Sequence, residues 1–299
     1  MAALPFSSIS IIYNPKSTGN SRRLAEKLQS QLAKELPDLT IDLRATEYAG
    51  HARELAREIA DADTRPLIVS SSGDGGYNEV INGVMAAKNK DAICAVLAAG
   101  NANDHSRAIH KGRPLHEAIL AGKIGRLDLL KVTIDEPGHE LQELYAHSYA
   151  GLGLTPVVAT ELNRQHHKLN ALYEIYLSLR TFFRYRPFEI RHNGRVIELD
   201  SLLFANINQM AKILTLSPRN RPDDGRFELV LLTAGRKFQL IRHLMQAAAS
   251  SLDDAKRCKR YEFKTIKPLP MQLDGEVCSL PAGSSVRVEA LHHALRTIR

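Results

Sequence analysis

Residues 66–87 of the 299-residue chain, PLIVSSSGDGGYNEVINGVMAA, contain the pattern that decides the fold. The stretch opens with a short apolar run over 66–70 that is typical of a buried strand. A loop with three glycines around Asp74 comes next, and the sequence over 80–87 then predicts a helix. A strand, a tight loop and a helix in this order form one βα unit of a parallel sheet.

The sequence on either side of this stretch repeats the alternation of strand and helix. Leucines recur every fourth residue from Leu24 to Leu36, which places them on one face of a helix. The neighbouring predictions are strands over 8–13, 39–43 and 92–98 and helices over 24–36 and 52–60. Such repeats predict a doubly wound parallel sheet, in which ligands bind beyond the carboxyl ends of the strands. We therefore expect the loops at 14–20, 71–79 and 99–105 to converge at that edge.

The second half of the chain has a different pattern, with short strand-like segments separated by turn residues. The segments are 127–134, 144–149, 188–192, 195–199, 202–207, 227–232, 261–266, 271–273 and 285–288. Asn193–Gly194 is a hairpin signal, and the whole pattern predicts an antiparallel sandwich or barrel with helices at about 156–184 and 236–252. The sequence thus divides into an α/β domain over 1–128 and a β-sandwich domain over 129–299.

The formal net charge of +7, from 40 basic and 33 acidic residues, is concentrated in the second half. Residues 1–128 hold 16 basic and 15 acidic side chains, whereas residues 129–299 hold 24 and 18. The segment 164–195 alone has seven basic groups against two acidic ones. This clustering indicates an anionic partner, either nucleic acid or a membrane surface.

Composition excludes several classes of protein. A hydrophobic fraction of 44% excludes disorder of the whole chain, and no apolar run approaches the roughly 18 residues that span a bilayer. The first residues lack a basic region, so no cleaved signal is predicted. Cys94, Cys258 and Cys278 are far apart and odd in number, which predicts reduced thiols in a cytoplasmic protein without a disulfide framework or a cysteine zinc site.

Each of the loops has two interpretations when it is taken alone. The segment NPKSTG at 14–19 places small residues and hydroxyls before a helix, which suits binding of an anion. Its spacing differs from that of a Walker A loop, so a plain strand-to-helix turn is the better explanation. The glycines at 71–79 permit positive φ and Asp74 suits magnesium, yet a tight turn with Asp74 as a helix cap explains them equally well. Asn and Asp at 100–104 are ordinary turn formers.

Together, these loops resemble the diacylglycerol kinase catalytic family, which includes bacterial lipid kinases and the sphingosine and ceramide kinases and is distantly similar to NAD kinases. The family pattern reads NPxSG, GGDGTxNEVxNG, GTxND and a late DGE. The corresponding segments here are NPKSTG (14–19), SGDGGYNEVING (72–83), GNANDHSR (100–107) and LDGE (273–276). Further similarity lies in TEYAGHARELA (46–56), AGLG (150–153) and SPRNRPDDGRFELVLL (217–232), so the resemblance covers nearly the whole chain.

The resemblance implies a nucleotide-binding α/β domain and a β-sandwich domain that presents a lipid. The implied ATP-binding residues are Asn14, Lys16, Ser17, Gly19, Thr46, Gly73, Asp74, Gly75, Gly76, Asn78, Glu79, Gly100 and Asn101. The resemblance also implies a catalytic Mg²⁺ held with its waters by Asp74, Asp104 and Asp128. A second, structural Mg²⁺ would use Asp224 and the backbone oxygens of Arg221 and Arg226.

The resemblance identifies Glu276 as the general base, with Asp74 as the other catalytic residue. A carboxylate near an acceptor hydroxyl can take its proton during phosphoryl transfer. Without the resemblance, Asp274–Glu276 is better explained as a hairpin turn with a solvated Glu. For Asp223–Gly225 a turn and a metal loop need the same residue types.

This chain departs from the family pattern at three positions. The Thr of GGDGT is Gly76, its first Gly is Ser72, and the Thr of GTxND is Asn101. The family places those hydroxyls near the nucleotide. One hydroxyl is lost here and one is replaced by an amide, so the affinity for ATP or the choice of nucleotide can differ from that of the family. The carboxylates that handle the larger electrostatic energies are all present.

The basic segment in the second half is the candidate acceptor-side surface. Apolar residues recur at helical spacing over 169–183, with Arg180, Arg184 and Arg186 close by. Core packing with a solvated basic face explains this pattern as well as an interfacial helix on a membrane does. Nucleic acid is disfavoured as a partner, because the sequence has no recognised DNA- or RNA-reading motif.

We therefore expect an ATP- and Mg²⁺-dependent kinase that phosphorylates a lipid hydroxyl, most simply that of diacylglycerol, to give phosphatidic acid. Alternatives are a kinase for another lipid alcohol, an NAD kinase-like enzyme, and a degenerate regulator that binds lipid or nucleotide. The expected partner is a lipid at the membrane surface, and the expected location is the cytoplasm with peripheral binding to the inner face of the membrane. Related bacterial kinases are often dimers, which makes a homodimer the implied assembly.

Overall fold

The structure is a computed structural model that describes residues 4–17, 19–100, 103–110, 112–153, 186–210, 214–215, 220–233 and 256–299. The chain folds into two units, Met1–Leu129 with His292–Arg299, and Leu130–Leu291. The last eight residues thus belong to the first unit, whereas the sequence-based division groups them with the second half. Among the described residues, no helix combines the length and the apolar character needed to cross a membrane.

The first unit is built on a parallel sheet. Its elements are β1 (Ser8–Tyr13), α1 (Ser21–Glu35), β2 (Ile41–Ala45), α2 (His51–Ala62), β3 (Pro66–Ser72), α3 (Asp74–Ala86), β4 (Ile93–Ala98), α4 (Asp104–His110), α5 (Leu115–Ala121) and the last residues of β17 (Ser285–Ile298). The strands run in the order β17-β4-β3-β1-β2, and every pair among β1 to β4 is parallel. Helices α1 and α5 pack on alternate residues of β1, β3 and β4, and α2 and α3 pack on each other and on β3.

The second unit consists of antiparallel strands. They are β6 (Gln142–Ala146), β7 (Tyr149–Gly153), β8 (Phe188–His192), β9 (Arg195–Ala205), β10 (Gln209–Met210), β11 (Leu214–Thr215), β12 (Phe227–Thr233), β13 (Lys256–Cys258), β14 (Arg260–Thr265), β15 (Leu269–Leu273) and β16 (Glu276–Leu280), with parts of β5 (Ile124–Asp135) and β17. Strand β9 is the centre of this pairing, because it pairs with β7, β8 and β12. Alternate inward residues of these strands form one apolar core.

These two architectures confirm the predicted fold class, an α/β unit followed by an antiparallel β unit. The hairpin signal is also confirmed: Asn193 and Gly194 both have positive φ, at 49° and 78°, between paired β8 and β9. Positive φ at both central residues gives the turn that matches the twist of the flanking strands.

Several predicted boundaries were wrong. The segments 195–199 and 202–207 form the single strand β9, and β17 continues to Ile298 instead of ending near 288. Helix α3 begins at Asp74, not at residue 80, so Gly75 and Gly76 lie in its first turn. Local apolar spacing cannot show such a helix start, because glycine is a poor helix former and the helix here is held by tertiary packing. The helices predicted at 156–184 and 236–252 lie outside the described residues.

Candidate functional site

The loops that follow β1, β2, β3 and β4 are tied to one another at the carboxyl edge of the parallel sheet. The Thr46 N–H donates to the carbonyl of Tyr13 at 2.9 Å, and the Gly50 N–H donates to Oε1 of Glu79 at 3.3 Å. The Ala99 N–H donates to the Ser72 carbonyl at 2.9 Å. The structure therefore brings together the loops that the sequence predicted to converge.

The loop after β1 is shaped by its own polar side chains. Asn14 Oδ1 accepts from the Lys16 N–H at 2.9 Å, and Ser17 Oγ accepts from the Gly19 N–H at 3.2 Å. A Cβ atom on Gly19 would lie 1.7 Å from the Ala99 carbonyl oxygen, so only glycine allows this approach to the loop after β4. The Lys16 side chain is exposed at this loop. The loop thus has a fixed backbone and one available cation.

Two serines that the sequence patterns did not single out connect the start of α1 to β3. Ser21 is buried and its hydroxyl donates to the Ser71 carbonyl, while the Ser71 hydroxyl donates back to the Ser21 carbonyl at 2.8 Å. The Asn14 N–H also donates to Ser21 Oγ at 3.3 Å. Hydroxyl residues at the ends of predicted elements were the available signal, since such groups need partners when they are buried.

The glycine-rich stretch works through close packing and not through positive φ. Gly73 has φ of −86°, an angle that any residue adopts. A Cβ atom on Gly100 would lie only 2.4 Å from Gly73 Cα, so the two loops touch backbone to backbone. This corrects the expectation that the glycines at 71–79 serve unusual backbone angles. Asn78, in α3, is buried and its side-chain oxygen accepts from Asn82 at 3.0 Å.

Asp74 is hydrogen-bonded to the first turn of α4. Its two carboxylate oxygens accept from the backbone N–H groups of Asp104 and His105, at 3.2 and 3.3 Å. Asp104 itself is buried and forms an ion pair with Arg107. The Asp74 carboxylate thus contacts the backbone of Asp104. Carboxylates supply the hard oxygen ligands that Mg²⁺ prefers, and Mg²⁺ is usually held by only one or two of them together with water and phosphate oxygens. The residues present therefore fit that ion.

The loop after β4 is closed by Asn103, one of the residues at 100–104 that the sequence marks as turn formers. Its side-chain oxygen accepts from the Gly100 N–H at 3.1 Å, and its amide donates to the Gly100 carbonyl at 2.6 Å. Asn103 has φ of 50°, a left-handed angle that Asn tolerates. Asn101, which was predicted to contact the nucleotide, lies outside the described residues.

Asp128, the third carboxylate assigned to the catalytic metal, is held by two histidines. Its buried Oδ1 accepts from the His293 N–H at 2.7 Å and lies 2.9 Å from His292 Nδ1. Within the described residues, Asp128, His292 and His293 are the one group of three potential metal ligands whose atoms all lie within 4.8 Å of one another. The histidines are at least 164 residues away in sequence, so no local pattern could assign them.

In the second unit, Glu276 begins β16 and forms the closing pair of a hairpin with Leu273. Its side chain is exposed. Asp274 and Gly275 both have positive φ, at 50° and 104°, so the turn interpretation of this segment is structurally correct. A turn of this kind is compatible with a catalytic Glu beside it.

Asp274 is more than a turn residue. It is fully buried, and its carboxylate accepts from the N–H groups of His147, Ser148 and Tyr149 at 2.6, 2.9 and 2.9 Å. Its own N–H donates to the Tyr149 carbonyl at 3.0 Å. The carboxylate therefore attaches the hairpin that contains Glu276 to the segment between β6 and β7.

The segment assigned to a structural metal contains an ion pair. Asp224 Oδ1 accepts from the Arg226 N–H at 3.0 Å, and Oδ2 pairs with Arg257. Gly225 has φ of 70°, as a tight turn requires. A cation at Asp224, with backbone oxygens of Arg221 and Arg226, would have to replace Arg257 as the partner of this carboxylate.

Several known proteins are similar to this chain. Residues 8–132 match the diacylglycerol kinase catalytic domain. The chain is 25% identical over 289 residues to a diacylglycerol kinase of Staphylococcus aureus (strain bovine RF122 / ET3-1), covering 89% of this chain and 85% of that protein. It is 26% identical over 291 residues to a diacylglycerol kinase of Bacillus subtilis (strain 168), covering 93% and 92%. The fold is similar to the crystal structure of a diacylglycerol kinase from Bacillus anthracis strain Sterne, with a TM-score of 0.70, 20% identity and coverage of 98% and 97%.

The α/β unit with converging loops, the matched catalytic domain and the relatives named diacylglycerol kinase define the class of protein as a lipid kinase. The match over residues 8–132 and the relatives named diacylglycerol kinase confirm the resemblance to the diacylglycerol kinase catalytic family that was found in the sequence. The family implies that ATP is the phosphate donor.

Proposed function

We propose that this enzyme transfers the γ-phosphate of ATP to the hydroxyl of a membrane lipid, most simply diacylglycerol, in a reaction that depends on Mg²⁺. The observation that supports the proposal most directly is the hydrogen bonding of Asp74 to the first turn of α4, which brings the residues Asp74 and Asp104 together at one edge of the sheet. That edge is where phosphate-binding loops of doubly wound sheets meet their ligands. The relatives are named diacylglycerol kinase, which supports a lipid alcohol as the phosphate acceptor.

The nucleotide is proposed to bind along the loops after β1, β3 and β4. Lys16 offers an exposed cation, and Ser17 and Asn14 hold the loop beside it. Gly73 and Gly100 have no side chains and their backbones touch, which suits close approach of phosphates to these loops. Thr46 and Glu79 fix the neighbouring loop at the same edge.

Asp74 and Asp104 would hold the magnesium ion, with Asp128 added by the resemblance. When bound, the ion would neutralise charge on the transferring phosphoryl group. The protein's own contribution is to hold these oxygens in place: Asp74 by the N–H groups of α4 and Asp104 by Arg107. Preorganised charges of this kind lower the barrier without reorganising during the reaction.

Glu276 is proposed as the general base. The acceptor oxygen forms a bond to the γ-phosphorus while the bond from that phosphorus to the bridging oxygen of ADP breaks, and Glu276 takes the hydroxyl proton. Its exposed position at the start of β16 leaves the carboxylate accessible to a substrate. The buried Asp274 makes the backbone before it rigid.

The experiment is transfer of radiolabel from ATP to defined lipids and to a mixed lipid extract. Glu276→Gln should lower kcat about 100-fold or more, because general-base catalysis contributes roughly 10²- to 10⁴-fold. Glu140→Gln, which removes an exposed acid of the same unit, should retain activity. Label in diacylglycerol identifies the acceptor, and label in another lipid alcohol or in NAD identifies the alternative.

A wild-type protein that labels no lipid and no dinucleotide would contradict the proposal. That result would favour a regulator that has lost catalysis. The sequence observation behind this alternative is that Gly76 and Asn101 replace the threonines of the family pattern. Equal activity of Glu276→Gln and wild type would remove the base assignment alone.

A further inference from the structure

We propose that Asp128, His292 and His293 form a binding site for a late first-row divalent metal of the Zn²⁺, Co²⁺ and Ni²⁺ class. One carboxylate and two imidazoles are ligands that these ions accept, and three protein ligands leave a position for water or an anion. The three ligand atoms already lie within 4.8 Å of one another. Nothing in the proposed kinase reaction uses either histidine.

The distances suit such an ion. His292 Nδ1 and Asp128 Oδ1 are 2.9 Å apart, whereas two ligands on one tetrahedral zinc ion with bonds of about 2.0 Å are separated by about 3.3 Å. A shift of a few tenths of an ångström would admit the metal between them. The His293 N–H donates to the same carboxylate at 2.7 Å and so orients it, in the way that outer hydrogen bonds orient metal ligands.

The backbone of β17 is distorted at this point. Successive side chains of a regular strand point to opposite faces, so two adjacent histidines would normally lie apart. His293 instead has φ of 56°, and the two imidazole rings stack with centroids 3.7 Å apart. A left-handed angle at a residue other than glycine is unfavourable and clusters at functional sites. The distortion is what gathers both rings on Asp128.

This site differs in chemistry from the Asp74 and Asp104 pair. Imidazole nitrogen suits Zn²⁺, Co²⁺ and Ni²⁺, while Mg²⁺ prefers oxygen ligands and dehydrates reluctantly. Both histidine side chains are exposed, so a metal can enter from solvent. Asp128 is buried, and the resemblance also assigns it to the catalytic Mg²⁺. A metal bound to Asp128 and the two histidines would hold this carboxylate in one orientation.

The test measures metal binding with no ATP or lipid present, so its outcome does not depend on the proposed kinase activity. Untagged, chelator-treated protein is titrated with Co²⁺ and with Zn²⁺, by visible absorption and by equilibrium dialysis. We expect one ion per chain and a Co²⁺ spectrum of mixed nitrogen and oxygen ligation. His293→Asn keeps a residue that tolerates the left-handed angle, and with His292→Asn it should weaken binding at least about tenfold.

The matched control is His139→Asn, which removes an exposed histidine that pairs with Glu136 in the other unit. It should leave both isotherms unchanged. Equal affinity in wild type and in the His292→Asn, His293→Asn double variant would overturn the proposal, as would displacement of Co²⁺ by an equal concentration of Mg²⁺. Thermal melts of all variants show whether the fold is retained.

A different observation supports a second inference, which deepens the proposed function and rests on it in part. We infer that the Ser72 side chain occupies the space that a side chain at position 76 would need. We also infer that the Ser72 hydroxyl takes over, at the start of α3, the role near the nucleotide that the family pattern gives to the Thr hydroxyl. A Cβ atom on Gly76 would lie 2.7 Å from Ser72 Cβ and 2.9 Å from Ser72 Oγ. The family pattern GGDGT has the reverse arrangement, with glycine at position 72 and a side chain at 76.

The Ser72 hydroxyl is held at the end of β3. It lies 2.7 Å from Ser70 Oγ and donates to the Gly73 carbonyl at 2.9 Å. A Cβ atom does not approach another heavy atom closer than 3.0 Å, so a side chain at 76 requires that Ser72 lose its own or move away. The two departures from the family pattern are therefore one compensated exchange.

A double-mutant cycle tests the exchange. Gly76→Thr alone should lower the melting temperature, and Ser72→Gly combined with Gly76→Thr should recover part of that loss. Ser72→Ala keeps the Cβ atom and removes the hydroxyl, so it should raise the KM for ATP about fivefold with a smaller change in kcat, as the loss of one hydrogen bond of ordinary strength predicts.

A Gly76→Thr variant as stable as wild type, or a double variant no more stable than Gly76→Thr, would refute the shared space. An unchanged KM for ATP in Ser72→Ala would refute the role of the hydroxyl. The melts need no nucleotide, so they test the pairing even where wild type proves to have no kinase activity.

Discussion

Asp274 shows how much one side chain can control in this protein. Its carboxylate accepts three backbone N–H groups, from His147, Ser148 and Tyr149, and lies 3.3 Å from His147 Nε2. All of these residues are buried. Asp274 therefore links the Glu276 hairpin to residues more than 120 positions earlier.

We expect Asp274→Asn to lower the free energy of unfolding by about 2–4 kcal/mol, because an amide cannot accept on both sides and a buried charge-assisted network loses a partner. Urea unfolding followed by circular dichroism measures the change. Asp135→Asn, an exposed acid at the end of β5, is the matched control and should stay within about 0.5 kcal/mol of wild type. A similar stability of the two variants would mean that Asp274 does not anchor the hairpin.

The three cysteines are free, and burial disfavours their ionisation. Burial raises the pKa of Cys94 to about 12 and that of Cys278 to about 11, and burial also raises the pKa of Cys258. Since the thiolate is the nucleophile, only about one thiol in a thousand or fewer is reactive at pH 8 for Cys94 and Cys278.

Alkylation of Cys94 and Cys278 in the native protein by iodoacetamide should therefore be slow at pH 7–8 and should accelerate as the pH rises toward those pKa values. Mass spectrometry of peptides after a timed pulse measures it, with protein in denaturant as the fully reactive control. Rapid labelling of Cys94 in the native state at pH 7 would show that its strand opens to solvent.

At the scale of elements, helix α3 depends on close packing against α2. A Cβ atom on Gly83 would lie 2.2 Å from the Arg53 carbonyl oxygen and 2.9 Å from Ala56 Cβ. This glycine belongs to the same motif as Asp74 and Asn78 in the sequence, but its task is packing. It fixes the position of the helix whose first turn contains Asp74.

Gly83→Ala should lower the free energy of unfolding by about 2–3 kcal/mol, since overpacking forces the two helices apart. Gly50→Ala is the comparison: Gly50 has φ of 87° but no atom within 4 Å of the added Cβ, so only backbone strain of about 1 kcal/mol is expected. Urea unfolding of both variants gives the difference. A smaller loss for Gly83→Ala than for Gly50→Ala would contradict the close packing of α2 on α3.

At the scale of the whole molecule, the charge is divided unevenly between the two halves of the sequence. The half with the loops proposed to bind the nucleotide is nearly neutral, and the excess of basic residues lies in the half proposed to receive the lipid. A nucleotide site needs a few placed groups, whereas attraction to an anionic membrane surface grows with each basic side chain, by about 1 kcal/mol near the surface.

We expect the protein to sediment with vesicles that contain acidic phospholipid, and to bind them less at high salt. Replacement of Arg180, Arg184 and Arg186 by Gln should reduce the bound fraction. The charge-matched control replaces Arg23, Lys27 and Lys34, three basic residues of α1, by Gln. Equal loss in the two triple variants would show that net charge, and not the 164–195 segment, governs binding.

The sequence by itself was enough for the fold class, the order of the loops and the family, because apolar periodicity and glycine punctuation act over a few residues. The tertiary structure alone decided where α3 begins, which glycines allow close approach, that Asp224 pairs with Arg257, and that Asp274 is an anchor. It also brought His292 and His293 to Asp128. These features join residues tens to more than a hundred positions apart, and a contact of that separation leaves no period in the chain that could reveal it.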